Sequence, residues 1–303
     1  MLQVIWDTRG YFFWLLVISA LCLILERIWP WRSQQKMVRR QFAQDLFWLF
    51  FNGHYVGVLV ATVAAFLFAW PLPMLEKAKS LNFIADQPLY VQFIAFFLIK
   101  DFLEWTVHNL LHRVSWLWEF HKVHHSAEVL TPITAFRVHP VDDLLTLSLT
   151  ALFSGVVQGL FRATVGTGIA DIEVLGVNVL LFAWYIFGFH LRHSHIWLAY
   201  PVWLSHILVS PAQHQIHHSS APRHFDRNMG FIFAFWDAIG GTLYVPKARE
   251  DLNYGLYGEE PGQFASVSAL YIRPFRNLWA MRPRGAGQER IMPPTAAVRR
   301  PSV

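Results

Sequence analysis

Five histidines in one 26-residue stretch, Asp101 to Ser126 (DFLEWTVHNLLHRVSWLWEFHKVHHS), constrain this chain more than any other feature. His108 and His112 are four apart, so a helix sets them on one face, one turn from each other. His121, His124 and His125 fall at i, i+3 and i+4, the same device. The second half of the chain repeats it: His214, His217 and His218 stand at i, i+3 and i+4, preceded by His190 and His193. This many buried imidazoles without ligation would demand many hydrogen-bond partners. Neutral imidazole is a ligand for iron, zinc, copper and nickel. The pattern predicts two histidine-rich helical hairpins closing around a metal centre. Nine residues form the candidate ligand set: His108, His112, His121, His124, His125, His193, His214, His217 and His218. Nine donors suffice for two metals with positions left open. His190, His195, His139 and His224 are further candidates. Glu104 and Asp101 lie one and two turns before His108, where a carboxylate could take the second N–H of a metal-bound imidazole, and Asp142, Asp143, Asp226 and Asp237 are further candidates for that part.

The scaffold is expected to be all-α and membrane-bound. Hydrophobic residues are 54% of the 303, and charged residues only 15%, against roughly 25% in an ordinary soluble domain. Apolar runs cover Tyr11 to Ile28, about Asp45 to Trp70, Leu89 to Leu111, Leu144 to Val165 and Val174 to Phe189. The first is long enough to span a bilayer core of roughly 30 Å. Gly166 and Gly168 mark the turn of a hairpin between the last two runs, which crosses the membrane or dips partway. The prediction is a multi-pass helical bundle of about four to five membrane helices with a histidine-rich cap. Arg27, Arg32, Lys36, Arg39 and Arg40 follow the first run, and only Lys77 and Lys79 follow the second. The positive-inside rule then sets the N-terminus outside, and the histidines and the C-terminus on the cytoplasmic side. The net charge of +5 sits beside apolar runs, so it points to lipid headgroups and not to nucleic acid. Cys22 is the only cysteine, which excludes an intrachain disulfide and cysteine-ligated zinc. Three regions are expected: membrane anchor helices over 1–90, a catalytic region over 91–246, and a polar, poorly ordered tail over 247–303.

The boxes HNLLH, HKVHH, HSH and PAQHQIHHS, followed by NMGFIFAFWDAIGGT, resemble the fatty acid hydroxylase/sterol desaturase superfamily. The resemblance covers roughly residues 95–245 and rests on three boxes in the right order. It implies a non-haem di-iron centre, two iron ions per chain, that uses O2 to hydroxylate or desaturate a lipid: a sterol, fatty acyl chain, alkylglycerol or carotenoid. By the same resemblance His108 and His112 match the first box, and His121, His124 and His125 the second. His214, His217 and His218 match the third, and His193 the histidine expected before it. The chain departs from the family pattern at Asn109, His195, Met229 and Gly240. It carries no haem-attachment or nucleotide motif, so electrons would come from a separate donor. Zinc suits the same ligands. The competing class is a non-catalytic membrane protein that binds haem or metal, as an electron carrier or a metal transporter.

Overall fold

The computed structural model describes residues 11–30, 41–56, 87–149, 189–259 and 262–281, with residues 59, 62–63, 66, 173–174 and 177–178. The described chain is helical. Helix α1 is Tyr11–Ile28, and α2 is Phe42–Phe47, running on into a π-helical turn, Trp48–Val56. Helix α3 is Leu89–Arg113, α4 is Ser115–His125, and a 3-10 turn, Pro132–Phe136, follows. The short helices α5 (Phe189–Arg192), α6 (Val202–Ser205), α7 (Pro211–His217) and α8 (Phe235–Gly240) precede a longer one, α9 (Val267–Met281). Glu173–Val174 pairs antiparallel with Val177–Asn178, so the run expected over Val174 to Phe189 opens on a tight two-residue pairing. Residues 57–58, 60–61, 64–65 and 67–70 of the predicted 45–70 run, and residues 150–172, 175–176 and 179–188 of the 144–190 hairpin with Gly166 and Gly168, lie outside the described residues. Among the described residues, no helix is long and apolar enough to cross a membrane.

A single extended residue turns α3 into α4. Val114, at φ −93° and ψ 112°, ends the first helix and begins the second. The break folds α4 back, so the last turn of α3 meets the buried face of α4. Helix α7 begins on Ser-Pro-Ala-Gln, a capping box with proline at the first helical position. Ser210 Oγ accepts from Gln213 N at 3.2 Å, and Ser210 N donates to Gln213 Oε1 at 2.9 Å.

The N-terminal helices pack against the histidine-bearing core. Ser19 of α1 contacts His190 Nδ1 at 3.3 Å, and Glu26 Oε1 accepts from His195 N at 2.7 Å. Asp45 of α2 meets Arg137, and both side chains are almost fully buried. Arg137 Nε donates to Asp45 Oδ1 at 2.8 Å, Nη2 to Gln41 Oε1 at 3.1 Å, and Nη1 to Ser126 Oγ at 3.4 Å. One guanidinium thus joins α2 to the end of α4. The 3-10 turn it follows packs Ile133, Ala135 and Phe136 against Leu49.

The expectation of a poorly ordered tail fails for residues 262–281. Helix α9 packs on α4 through Leu270, which shares a core with Trp48, Val123 and Phe264. Tyr271 stacks on Trp48 at 4.7 Å. Asn277 Nδ2 donates to Glu119 Oε2 at 2.7 Å, and Lys122 bridges Glu119 and Glu259 at 2.7 and 2.9 Å. The helical period of the apolar residues in 267–281 carries this signal, behind a misleading surround of arginine, proline and glycine. Residues 282–303 lie outside the described set.

Candidate metal centre

The nine histidines gather into two adjoining groups. His108, His112, His121, His125 and His217 form the first, and His124, His193, His214 and His218 the second. Within each group, one donor atom from every residue lies within 4.8 Å of the others. The groups touch: the His125 and His218 rings stack at 4.4 Å, and the His217 and His218 centroids are 5.2 Å apart. The i, i+3, i+4 spacing does more than set three rings on one face. On α4, His121 and His125 enter the first group and His124 the second. On α7 the division is reversed: His214 and His218 enter the second group, and His217 the first.

Hydrogen bonds fix which nitrogen faces inward. His121 Nδ1 donates to Asp142 Oδ2 at 2.8 Å, His108 Nδ1 to the Met229 carbonyl at 2.8 Å, and His217 Nδ1 to the Arg227 carbonyl at 2.9 Å. Carbonyls and carboxylates only accept, so each of these rings carries its proton on Nδ1 and a lone pair on Nε2. The Nε2 atoms of His112, His121, His125 and His217 are buried with no hydrogen-bond partner. Buried lone pairs without donors require an explanation, and a cation supplies one. In the second group, Thr134 gives its hydroxyl proton to Thr131 O at 2.7 Å, so it accepts from His193 Nδ1 at 3.3 Å. His193 Nε2 then lies 3.0 Å from His214 Nε2, which lies 3.1 Å from His218 Nε2. With imidazole–metal bonds of about 2.1 Å, two nitrogens at right angles on one ion are about 3.0 Å apart. The donor set fits a metal.

Burial keeps these rings in the ligating, neutral form. His112, His124, His125, His214, His217 and His218 are held well below the usual imidazole range, first by burial and then by neighbouring imidazoles. His193 falls to about 3, through burial and then the Arg192 charge. The sign for stability follows. Below pH of about 6.5 the unfolded chain takes up protons that the folded chain refuses. Metal-stripped protein is therefore expected to hold its full stability above about pH 7 and to lose it progressively as pH falls through 6. Its apparent thermal midpoint, followed across that range, checks this; a midpoint that rises on acidification would reverse the assignment.

The expected carboxylate partners are corrected. Asp101 accepts from Ile232 N (2.8 Å), Phe233 N (3.0 Å) and Trp236 Nε1 (3.1 Å), and Glu104 pairs with Lys100. Neither meets a histidine. Asp101 acts on the backbone, tying α3 to the segment before α8. Asp237 does the same: it accepts from Met229 N, Gly230 N and Trp105 Nε1 at 2.9, 2.7 and 3.1 Å, and also from the Thr242 hydroxyl. A Cβ on Gly230 would come within 2.8 Å of Asp237 Oδ2 and 2.7 Å of Phe233 O. Together these bonds position the Met229 carbonyl that orients His108. The departure from the family pattern at Met229 therefore falls where the backbone, not the side chain, meets a cluster histidine. Asp142 is hydrogen-bonded to His121, 21 residues from it, and Asp226 Oδ1 lies 3.7 Å from His112 Nδ1. Helical spacing carries no signal for such a contact. Asp142→Asn is expected to lower metal affinity about 10- to 100-fold by weakening the hold on His121, read by metal retention against a competing chelator.

The four further candidates fall outside both groups. His190 and His195 sit against α1, as described. His139 Nδ1 accepts from Val141 N at 3.1 Å and Nε2 donates to the Tyr271 carbonyl at 3.2 Å. His224 Nε2 accepts from Arg223 Nε at 3.0 Å. Of the aromatic residues near the boxes, Trp118 closes on the first group, 5.0 Å from His112 and 5.3 Å from His125 between centroids. Asp226 and Asn228 adopt φ 55° on either side of Arg227. Left-handed backbone is tolerated best by such residues, and here it aims the Arg227 carbonyl at His217.

With these features in place, the chain belongs to the fatty acid hydroxylase/sterol desaturase superfamily. The fatty acid hydroxylase family model matches residues 93–242, about half of the chain. Among curated relatives, the chain is 25% identical over 197 residues to alkylglycerol monooxygenase of Caenorhabditis elegans, covering 64% of this chain and 34% of that one. It is 26% identical over 269 residues to the ornithine lipid hydroxylase OlsE of Rhizobium tropici, covering 85% and 74%. It is 27% identical over 198 residues to lathosterol oxidase of Mus musculus, covering 64% and 58%. The match thus spans about a third of the nematode relative and less than two thirds of the mouse one. No solved structure matches the chain.

Proposed function

We propose that this chain is a membrane-bound non-haem di-iron oxygenase that hydroxylates or desaturates a lipid with O2. The convergence of nine imidazoles into two groups, four of them with buried Nε2 atoms that have no hydrogen-bond partner, carries the reading. His108, His112, His121, His125 and His217 would hold one iron, and His124, His193, His214 and His218 the other. When bound, the irons would supply O2 activation and removal of hydrogen from an unactivated C–H bond. The chain's own residues do the rest. Asp142 and the Met229 and Arg227 carbonyls keep three rings in the ligating tautomer. Trp118 and the surrounding core exclude water from the first group. Electrons come from a separate donor.

In this reading residues 1–90 anchor the chain, residues 91–246 carry the chemistry, and the N-terminus lies outside, with the histidines and C-terminus cytoplasmic. Exposed Leu21, Ile24 and Ile28 on α1 and Tyr90, Ile94 and Ile99 on α3 support a lipid-facing surface. A sterol, an acyl chain, an alkylglycerol and a carotenoid are the candidate substrates. The test compares the lipids of cells expressing the chain with those expressing the His124→Ala variant. A new oxygenated or desaturated lipid that depends on His124 supports the reading. Identical lipid profiles from well-expressed, metal-loaded protein would count against it. An absorption spectrum separates this reading from a haem carrier.

A further inference from the structure

Helix α9 has an exposed face of a particular chemistry. Ile272, Phe275 and Trp279 stand at i, i+3 and i+7, a single stripe. They are 54%, 52% and 70% exposed. Arg273 and Arg276 flank the stripe, and the helix contains no acidic residue. Ser268, Ile272, Arg273 and Arg276 line a groove of about 200 Å³. Arg273 gives one arm to Gln263, and its buried Nε has no acceptor in the protein. The charge bias continues along the chain. Residues 264–303 hold seven arginines (Arg273, Arg276, Arg282, Arg284, Arg290, Arg299 and Arg300) against one acid, Glu289. Large apolar side chains bearing tryptophan, bordered by arginine, are what a helix needs to lie in the plane of an anionic bilayer surface.

We propose that α9 docks on an anionic phospholipid surface, with Ile272, Phe275 and Trp279 entering the interface and the arginines meeting the phosphates. The opposite face of α9 grips α4: Leu270 shares a core with Val123, and Asn277 bonds Glu119, while Phe275 at the edge of the stripe also meets Phe120 edge-on at 5.2 Å. Helix α4 carries His121, His124 and His125. Docking of α9 therefore sets the height of the histidine groups above the acyl chains. The proposal rests on the membrane-bound reading of the chain but not on its metal or its chemistry.

The test uses the full chain in lipid nanodiscs, with Cys22→Ser as background. Spin labels are attached through Ile272→Cys, Trp279→Cys and, as an exposed loop control, Tyr257→Cys. Accessibility to oxygen and to a water-soluble nickel chelate is measured in phosphatidylcholine alone and with added phosphatidylglycerol. The expected result is a reversed oxygen-to-chelate ratio at 272 and 279 relative to 257. Label depth increases with phosphatidylglycerol, and Arg273→Gln/Arg276→Gln removes that increase. A label at 279 as open to the chelate as the one at 257 would overturn the proposal. So would one shielded from both probes, which marks a protein partner, or a depth indifferent to anionic lipid. Bound metal per chain measured on the same samples reports the histidine site separately, since all nine histidines are retained.

Discussion

Alanine in place of His217 or His124 is expected to abolish lipid turnover and to lower bound metal. The two residues sit in different groups, so the pair tests both. Losing only the hydrogen-bond partner of a ligand lowers metal affinity about 10- to 100-fold, and losing the ligand itself exceeds that. Metal per purified chain and lipid product by mass spectrometry give the two readings. His139→Ala serves as contrast. Both its ring nitrogens are engaged outside the groups, so its metal content should stay at the parent value. Unchanged metal in both His217→Ala and His124→Ala would refute the assigned ligation.

Asp45→Ala is expected to destabilise the fold by about 3–5 kcal/mol, the usual cost of leaving a buried charge without its partner. Arg137 is fully buried, so removing Asp45 leaves its charge without its counter-ion. The double variant Asp45→Leu/Arg137→Met is expected to recover most of the loss, because replacing both partners removes the uncompensated charge. Thermal unfolding of the three proteins in detergent reads the difference. A single variant as stable as the parent would show that the guanidinium is satisfied elsewhere.

Much of the site is legible in the sequence, because helical periodicity places histidines before any fold is known. The nine candidates are the nine residues of the two groups, and α3 and α4 fall where the apolar pattern sets them. What stays hidden arises from long separations. Asp101 lies close to His108 in sequence, yet its oxygens go to residues 232, 233 and 236. Asp142 reaches His121 only because the chain turns back after α4. The Met229 carbonyl takes His108 across 121 residues. The splitting of each triplet is equally hidden: spacing says which rings share a face, not which group each ring enters. Helix α9 was obscured by composition, since arginines and prolines around an amphipathic segment read as a solvated tail.

The opposite allotment of rings on α4 and α7 ties the two histidine groups together mechanically. Neither helix belongs to one group, so any tilt or slide that loosens a grip on one side disturbs the other in the same movement.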